Sequence, residues 1–182
     1  MDINTLANKV YQHNFPNTKL LQRNIQSLSA KEINDYCIDT IFMSPPCQPF
    51  TRWESAALEA LVKDNIVHAE YVKRFLLFFR VGLKRDIADN RTCSFIHLLN
   101  LFPSLNKKWK YLVLENVKGF ERSEACQKLI QTLEDLDFCY QQFVLSPSMF
   151  SIPNTRHRYY IIAKRRPLYF NFPLQPHVVS IP

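Results

Sequence analysis

Apolar residues recur along this chain in two rhythms. One has helical spacing. Ile3, Leu6, Ala7 and Val10 lie three or four apart in "INTLANKVYQHNF", with Asn4 or Asp2 available as the cap. "SAKEINDYC" opens with Ser29 and carries Glu32 three residues on, the spacing of a capping box. "RTCSFIHLLNLF" aligns Phe95, Leu98, Leu99 and Phe102. "SEACQKLIQTLEDLD" aligns Ala125, Leu129, Ile130, Leu133 and Leu136. The other rhythm is that of strands: "TKLLQRNI", "DTIFMS", "KYLVLENV", "CYQQFVLSP" and "RYYIIAKR". The near-continuous apolar run "KYLVLENV", Lys110 to Val117, predicts a strand of a parallel sheet covered on both faces. Helices and strands alternate, which predicts an α/β layered sheet. Residues 53–80 are rich in helix formers and then in aromatics, and predict a helical pair.

Composition narrows the picture. A chain of 182 residues, 47% hydrophobic and 21% charged, suits one domain with a buried core. Only Gly82 and Gly119 are glycine, where average usage gives roughly a dozen. That excludes a Gly-rich phosphate loop. The net charge of +7 favours a polyanion as partner, nucleic acid first. Cys37, Cys47, Cys93, Cys126 and Cys139 are odd in number and form no C-x-x-C pair. They argue against a disulfide framework or a metal site and for a reducing compartment. "MDINTLANKVYQ" lacks the apolar core of a signal peptide, and "FLLFF" is too short to span a bilayer.

The candidate chemistry sits at three strand ends. In "FMSPPCQPFTR", Cys47 lies between prolines directly after the strand "DTIFM". Prolines stiffen that loop and aim the thiol at the end of a sheet where α/β folds hold their ligands. Glu115 closes the apolar run Leu112–Leu114, a costly place for an acid unless it is paired or used. Arg156 and Arg158 alternate just before "YYIIAK", so both guanidiniums face one side of an extended chain. A lone cysteine is most often a small core residue. The three features together, in this order, change those odds.

These residues resemble the cytosine-5 methyltransferase superfamily, through its proline-cysteine motif (Pro46-Cys47-Gln48), its Glu-Asn-Val motif (Glu115-Asn116-Val117) and its Arg-x-Arg motif (Arg156-His157-Arg158). The wording "SPPCQPFTR", "LENVKGFE" and "SIPNTRHRYYIIAK" is similar to one branch, first classed with DNA methyltransferases, that mainly methylates a cytosine in the anticodon loop of aspartate tRNA. The resemblance implies a Rossmann-like, mostly parallel α/β sheet and S-adenosylmethionine as methyl donor. It implies Cys47 as nucleophile, Glu115 on the cytosine ring nitrogen and amine, and Arg156 or Arg158 on the base carbonyl. Asp2, Ile3, Ile25, Gln26 and Pro45 match cofactor-binding positions. The substrate it implies is tRNA, with DNA as the alternative, for a monomer of the cytoplasm and nucleus with no membrane and no metal.

The same resemblance marks departures. Family members open with a strand and a Gly-rich turn that wrap the methionine of the cofactor, and this chain begins at the acid that follows, Asp2. We therefore expect residues 1–182 to be a partial catalytic domain, without first strands or a target-recognition region, binding the cofactor poorly. Residues 53–80 interrupt a loop that resumes at "VGLKRDIADNRTCSF". We read them as an insertion, from translated intron or a gene-model error in preference to a lineage-specific helical segment. A non-catalytic nucleic-acid-binding protein is the competing reading. A cysteine hydrolase using Cys47 with His68, His97 or His157 is the weaker one, because no third member of a triad is visible.

Overall fold

The structure is a computed structural model and describes residues 1–46, 86–175 and 177–180. The expected helical segment at 53–80, with Cys47 and His68, lies outside the described residues. Four α-helices are described: α1 (Thr5–Asn14), α2 (Ala30–Asp35), α3 (Cys93–Leu101) and α4 (Glu124–Asp135). Five strands form one sheet: β1 (Thr40–Met43), β2 (Tyr111–Val117), β3 (Phe138–Leu145), β4 (Arg158–Arg165) and β5 (Val179–Ser180), in the order β1-β2-β4-β3-β5.

The α/β class is as expected, while the described strands pair in both senses. β1 runs parallel to β2 and β5 parallel to β3, but β4 is antiparallel to both of its neighbours. The cause is local. β3 and β4 are joined by the loop 146–157, which holds no crossover helix, so the chain turns back on itself.

One face of the sheet carries the core. Leu112, Leu114, Tyr159, Ile161 and Val144 pack with Phe95 and Leu99 of α3 and with Ala125, Leu129 and Leu133 of α4. The register forces this, because the residues between them in β2 and β4 must point the other way. On that second face Tyr111, Val113, Glu115 and Val117 of β2 stay half-exposed. The expectation of β2 covered on both sides is therefore met on one face among the described residues. Gln141, on the same second face at β3, is 1% exposed because the C-terminal tail crosses there. Its amide accepts from the Gln175 N–H and donates to the His177 carbonyl.

Two local expectations fail. "TKLLQRNI" forms no strand. Asn24 instead caps a 3₁₀ turn (Ile25–Ser27), and the Arg23 guanidinium bonds Ser27 and Glu32, so side-chain caps outcompete strand pairing. Leu6, Ala7 and Val10 of α1, and Ile3 just before it, face solvent. The polar Asn8 is the buried one, donating to the Asp2 carbonyl. Asn4, not Asp2, is the cap, accepting from the N–H groups of Leu6 and Ala7. Ser29 caps α2 through the Glu32 N–H, but the capping box is half made, since the Glu32 carboxylate turns to Arg23.

Candidate active site

Parallel pairing of β1 with β2 ends at Met43 opposite Leu114. The next residues of each chain therefore leave the sheet side by side. Ser44 Oγ donates to Glu115 Oε2 at 2.6 Å. One residue on, Asn116 Nδ2 donates to the Pro45 carbonyl at 3.1 Å, while Asn116 Oδ1 accepts from the Val117 N–H at 2.8 Å. Asn116 is 2% exposed, so both bonds are made away from water. The start of the proline loop is thus fastened to β2 two residues before Cys47.

The third strand end arrives by register. Arg158 pairs with Val117 and Tyr160 with Glu115, which sets Arg158 diagonal to Glu115 on the same face. Arg158 Nε meets Glu115 Oε1 at 3.1 Å, and its Nη1 donates to the His157 carbonyl at 2.9 Å. Both oxygens of Glu115 are engaged, one by a hydroxyl and one by a guanidinium. The pair is partly shielded, with side chains 36% and 21% exposed, so it is worth more as an orienting device than as a source of stability.

Arg156 behaves differently. Its backbone N–H donates to Ser146 Oγ at 3.2 Å, and its guanidinium has no partner among the described residues. It lines a cleft of about 420 Å³ with Glu115, Arg158, Tyr160, Leu145, Ser146, Pro147, Phe150 and Ile152. Ser146 is 1% exposed and ties this loop together, its hydroxyl meeting Ser148 Oγ and the Asn154 carbonyl as well. Ser151 takes a left-handed φ of 61° at the end of the 3₁₀ turn Pro147–Phe150.

The structure thus brings together three of the strand-end residues read from the sequence: Glu115, Arg156 and Arg158. Cys47 follows Pro46, where the description stops. The matched cofactor positions are more dispersed. Asp2 Oδ1 accepts from the Asn4 N–H, and Asp2 lines a cleft of about 310 Å³ with Asn8, Tyr11 and Lys19. Ile3 is exposed, Ile25 half-buried and Gln26 exposed on the 3₁₀ turn, and Pro45 is held by Asn116. His97 is committed elsewhere, its Nε2 lying 2.9 Å from the Leu28 carbonyl. Among the described residues no group of acids, histidines and cysteines has the makings of a metal site, and no helix is long and apolar enough to cross a membrane.

Sequence reasoning missed Ser44, Ser146 and Phe150. Ser44 had a signal: it precedes Pro45 where a parallel register would carry it to Glu115. Behind the site, Cys126 and Tyr159 share a buried contact of 3.4 Å, and Tyr159 donates to Gln142 Oε1. Burial pushes the Cys126 thiol up to about 11, which leaves it inert as a packing residue.

The ends of β1, β2 and β4 thus gather a carboxylate, two guanidiniums and the start of a proline loop at one cleft of an α/β sheet. The family model for "C-5 cytosine-specific DNA methylase" matches residues 1–56 and 78–180, and the chain belongs to that family. The tRNA (cytosine(38)-C(5))-methyltransferase of Homo sapiens is 43% identical over 177 residues, covering 96% of this chain and 38% of that protein. The protein of the same name from Spodoptera frugiperda is 39% identical over 99% of this chain and 46% of its own length. A solved structure of a Spodoptera frugiperda DNMT2 mutant aligns with a TM-score of 0.71 at 38% identity, covering 98% of this chain and 45% of that one. The Entamoeba histolytica methyltransferase EhMeth gives 0.71 at 29% identity, over 97% and 47%. The chain thus spans less than half the length of these relatives.

Proposed function

We propose that this chain carries the base-handling half of a tRNA cytosine-5 methyltransferase that uses S-adenosylmethionine. The observation that carries the reading is the carboxylate of Glu115, held between Ser44 Oγ and Arg158 Nε where β1, β2 and β4 end. The +7 charge and the names of the relatives favour RNA as substrate, with tRNA cytosine ahead of DNA.

The chemistry follows from the polarity of cytosine. Its carbon-5 is a weak nucleophile until a thiolate adds to carbon-6. In this reading Cys47 is that nucleophile. As the ring gains electron density, a proton shared between Glu115 and the ring nitrogen bonds the two, Glu115 also accepts from the exocyclic amine, and Arg158 donates to the carbonyl oxygen. The bonds of Glu115 to Ser44 and Arg158 keep the carboxylate from swinging away, so it needs no reorganisation as charge develops. Asn116 holds the loop that leads to Cys47. Carbon-5 is then the electron-rich atom that is methylated, and loss of its proton to a base expels Cys47 and restores the ring. The base must leave its stack to enter such a cleft.

S-adenosylmethionine, when bound, supplies the electrophilic methyl group. The Asp2 carboxylate has the chemistry for ribose hydroxyls, and Ile3 and Ile25 have the chemistry for the flanks of an adenine; Gln26 and Pro45 are the other matched positions. These fit the nucleoside part of the donor. For its methionine end neither Gly82 nor Gly119 stands near Asp2 in sequence.

The family match leaves residues 57–77 unmatched, and we propose that they belong to an insertion. The test of the functional reading is a graft of this chain, without its 57–77 segment, into the matched part of the human relative. Glu115→Gln in that graft is expected to lower turnover about a hundredfold and leave S-adenosylmethionine affinity within roughly twofold. A lost affinity with normal turnover at saturation contradicts the role of Glu115.

A further inference from the structure

The two arginines of the Arg-x-Arg motif are not equivalent. Arg158 is oriented by Glu115 and the His157 carbonyl, while the Arg156 guanidinium is exposed and unpartnered among the described residues. On the same cleft sits Phe150, an aromatic ring left 56% exposed, with Ile152 at 54% beside it. Neither residue hangs on a slack loop. The 3₁₀ turn Pro147–Phe150 starts on a proline, and the buried hydroxyl of Ser146 bridges both ends of the 146–156 loop through Ser148, the Asn154 carbonyl and the Arg156 N–H. A solvent-facing ring on the same cleft as a guanidinium without a partner among the described residues matches one repeat unit of a single-stranded nucleic acid: a base and its phosphate. Leu145, Pro147 and Tyr160 line the same cleft.

We propose that Phe150 and Arg156 form a subsite for the nucleotide next to the target cytosine, Phe150 stacking on its base and Arg156 holding its phosphate. This rests on the proposed function, because it takes the Glu115 end of the cleft to be the cytosine end. The charge argues for the same occupant. The cleft holds two guanidiniums against one carboxylate, and that carboxylate is already paired, so the excess charge is positive and faces outward.

The test uses the 182-residue chain and an RNA hairpin with one cytosine in its loop, flanked by 2-aminopurine, titrated without methyl donor. The wild type is expected to quench 2-aminopurine on binding. Phe150→Ala is expected to weaken binding roughly tenfold and abolish quenching, with the salt slope unchanged. Phe150→Trp should retain both, and Phe150→Leu, apolar but without a ring, should not. Arg156→Ala should reduce the slope of log affinity against log salt by about 0.7, the value for one single-strand phosphate contact. Wild-type affinity in Phe150→Leu, or an unchanged slope in Arg156→Ala, overturns the subsite. Methyl transfer by the graft is a separate readout, so the cytosine-5 reading and this one fail independently.

Discussion

Asn116→Ala removes the side chain that joins the proline loop to the sheet. Two hydrogen bonds disappear together, the one to the Pro45 carbonyl at 3.1 Å and the one from the Val117 N–H at 2.8 Å. Each is worth about 1 kcal/mol net, and a backbone group left unpaired at a site only 2% exposed adds to the loss. The cavity left by a carboxamide is small, so the total is about 2–3 kcal/mol. For a chain of this size that lowers the thermal midpoint by about 4–12 °C. Glu115→Gln is the control. It keeps the shape and breaks an ion pair that water partly screens, at a cost below about 1 kcal/mol. Urea denaturation followed by circular dichroism gives both values from the shift in midpoint at constant slope. A midpoint for Asn116→Ala no lower than that of Glu115→Gln refutes the claim that Asn116 clamps the loop.

Three further outcomes follow from the same geometry. Leu129→Ala, emptying a fully buried site between α4 and the sheet, is expected to cost about 2–5 kcal/mol by denaturant melt, and a cost under about 1 kcal/mol contradicts the packing. Ser123→Ala removes the cap of α4, where Ser123 Oγ accepts from the Cys126 N–H at 3.0 Å and donates to the Phe120 carbonyl at 2.6 Å. A loss of about 1–2 kcal/mol is expected, and an unchanged midpoint contradicts it. The Cys126 thiol rises on folding from 9.0 to about 11, chiefly through burial, so the folded state holds a proton that the unfolded state has released between those values. Its contribution is whole below pH 9 and fades as pH climbs to about 11, and Cys126→Ala should flatten that part of the stability–pH curve.

Much of this was written in the sequence. The helical stripe of α4 follows from the period that one buried face imposes, and Ala125, Leu129 and Leu133 are buried as their spacing requires; β2, read as covered on both faces, buries alternate residues on one. Glu115 was legible because an acid closing an apolar run is costly without a use, and Arg156 and Arg158 because they alternate just before a strand. The sense of pairing was less legible. An apolar run reads alike in a parallel and an antiparallel sheet, and only the helix-free connection from β3 to β4 decides it. The helical rhythm of α1 said nothing about which face would be buried. Asn8 turned inward because the Asp2 carbonyl needed a donor there, a tertiary fact that no spacing encodes. The division of labour between the two arginines was hidden for the same reason. Alternation puts both on one side, and the β2–β4 register alone gives Glu115 to Arg158.

The central claim is that these strand ends serve covalent chemistry on a cytosine, with Cys47 as the attacking group and Glu115 and Arg158 on the ring. The most direct measurement is the single-turnover rate of methyl transfer from S-adenosylmethionine to carbon-5 of cytosine in a tRNA anticodon stem-loop, by the graft with Cys47 and with Cys47→Ala. The account predicts transfer by the first and a loss of at least about a thousandfold in the second, with RNA affinity unchanged. A Cys47→Ala rate within roughly tenfold of the parent contradicts it.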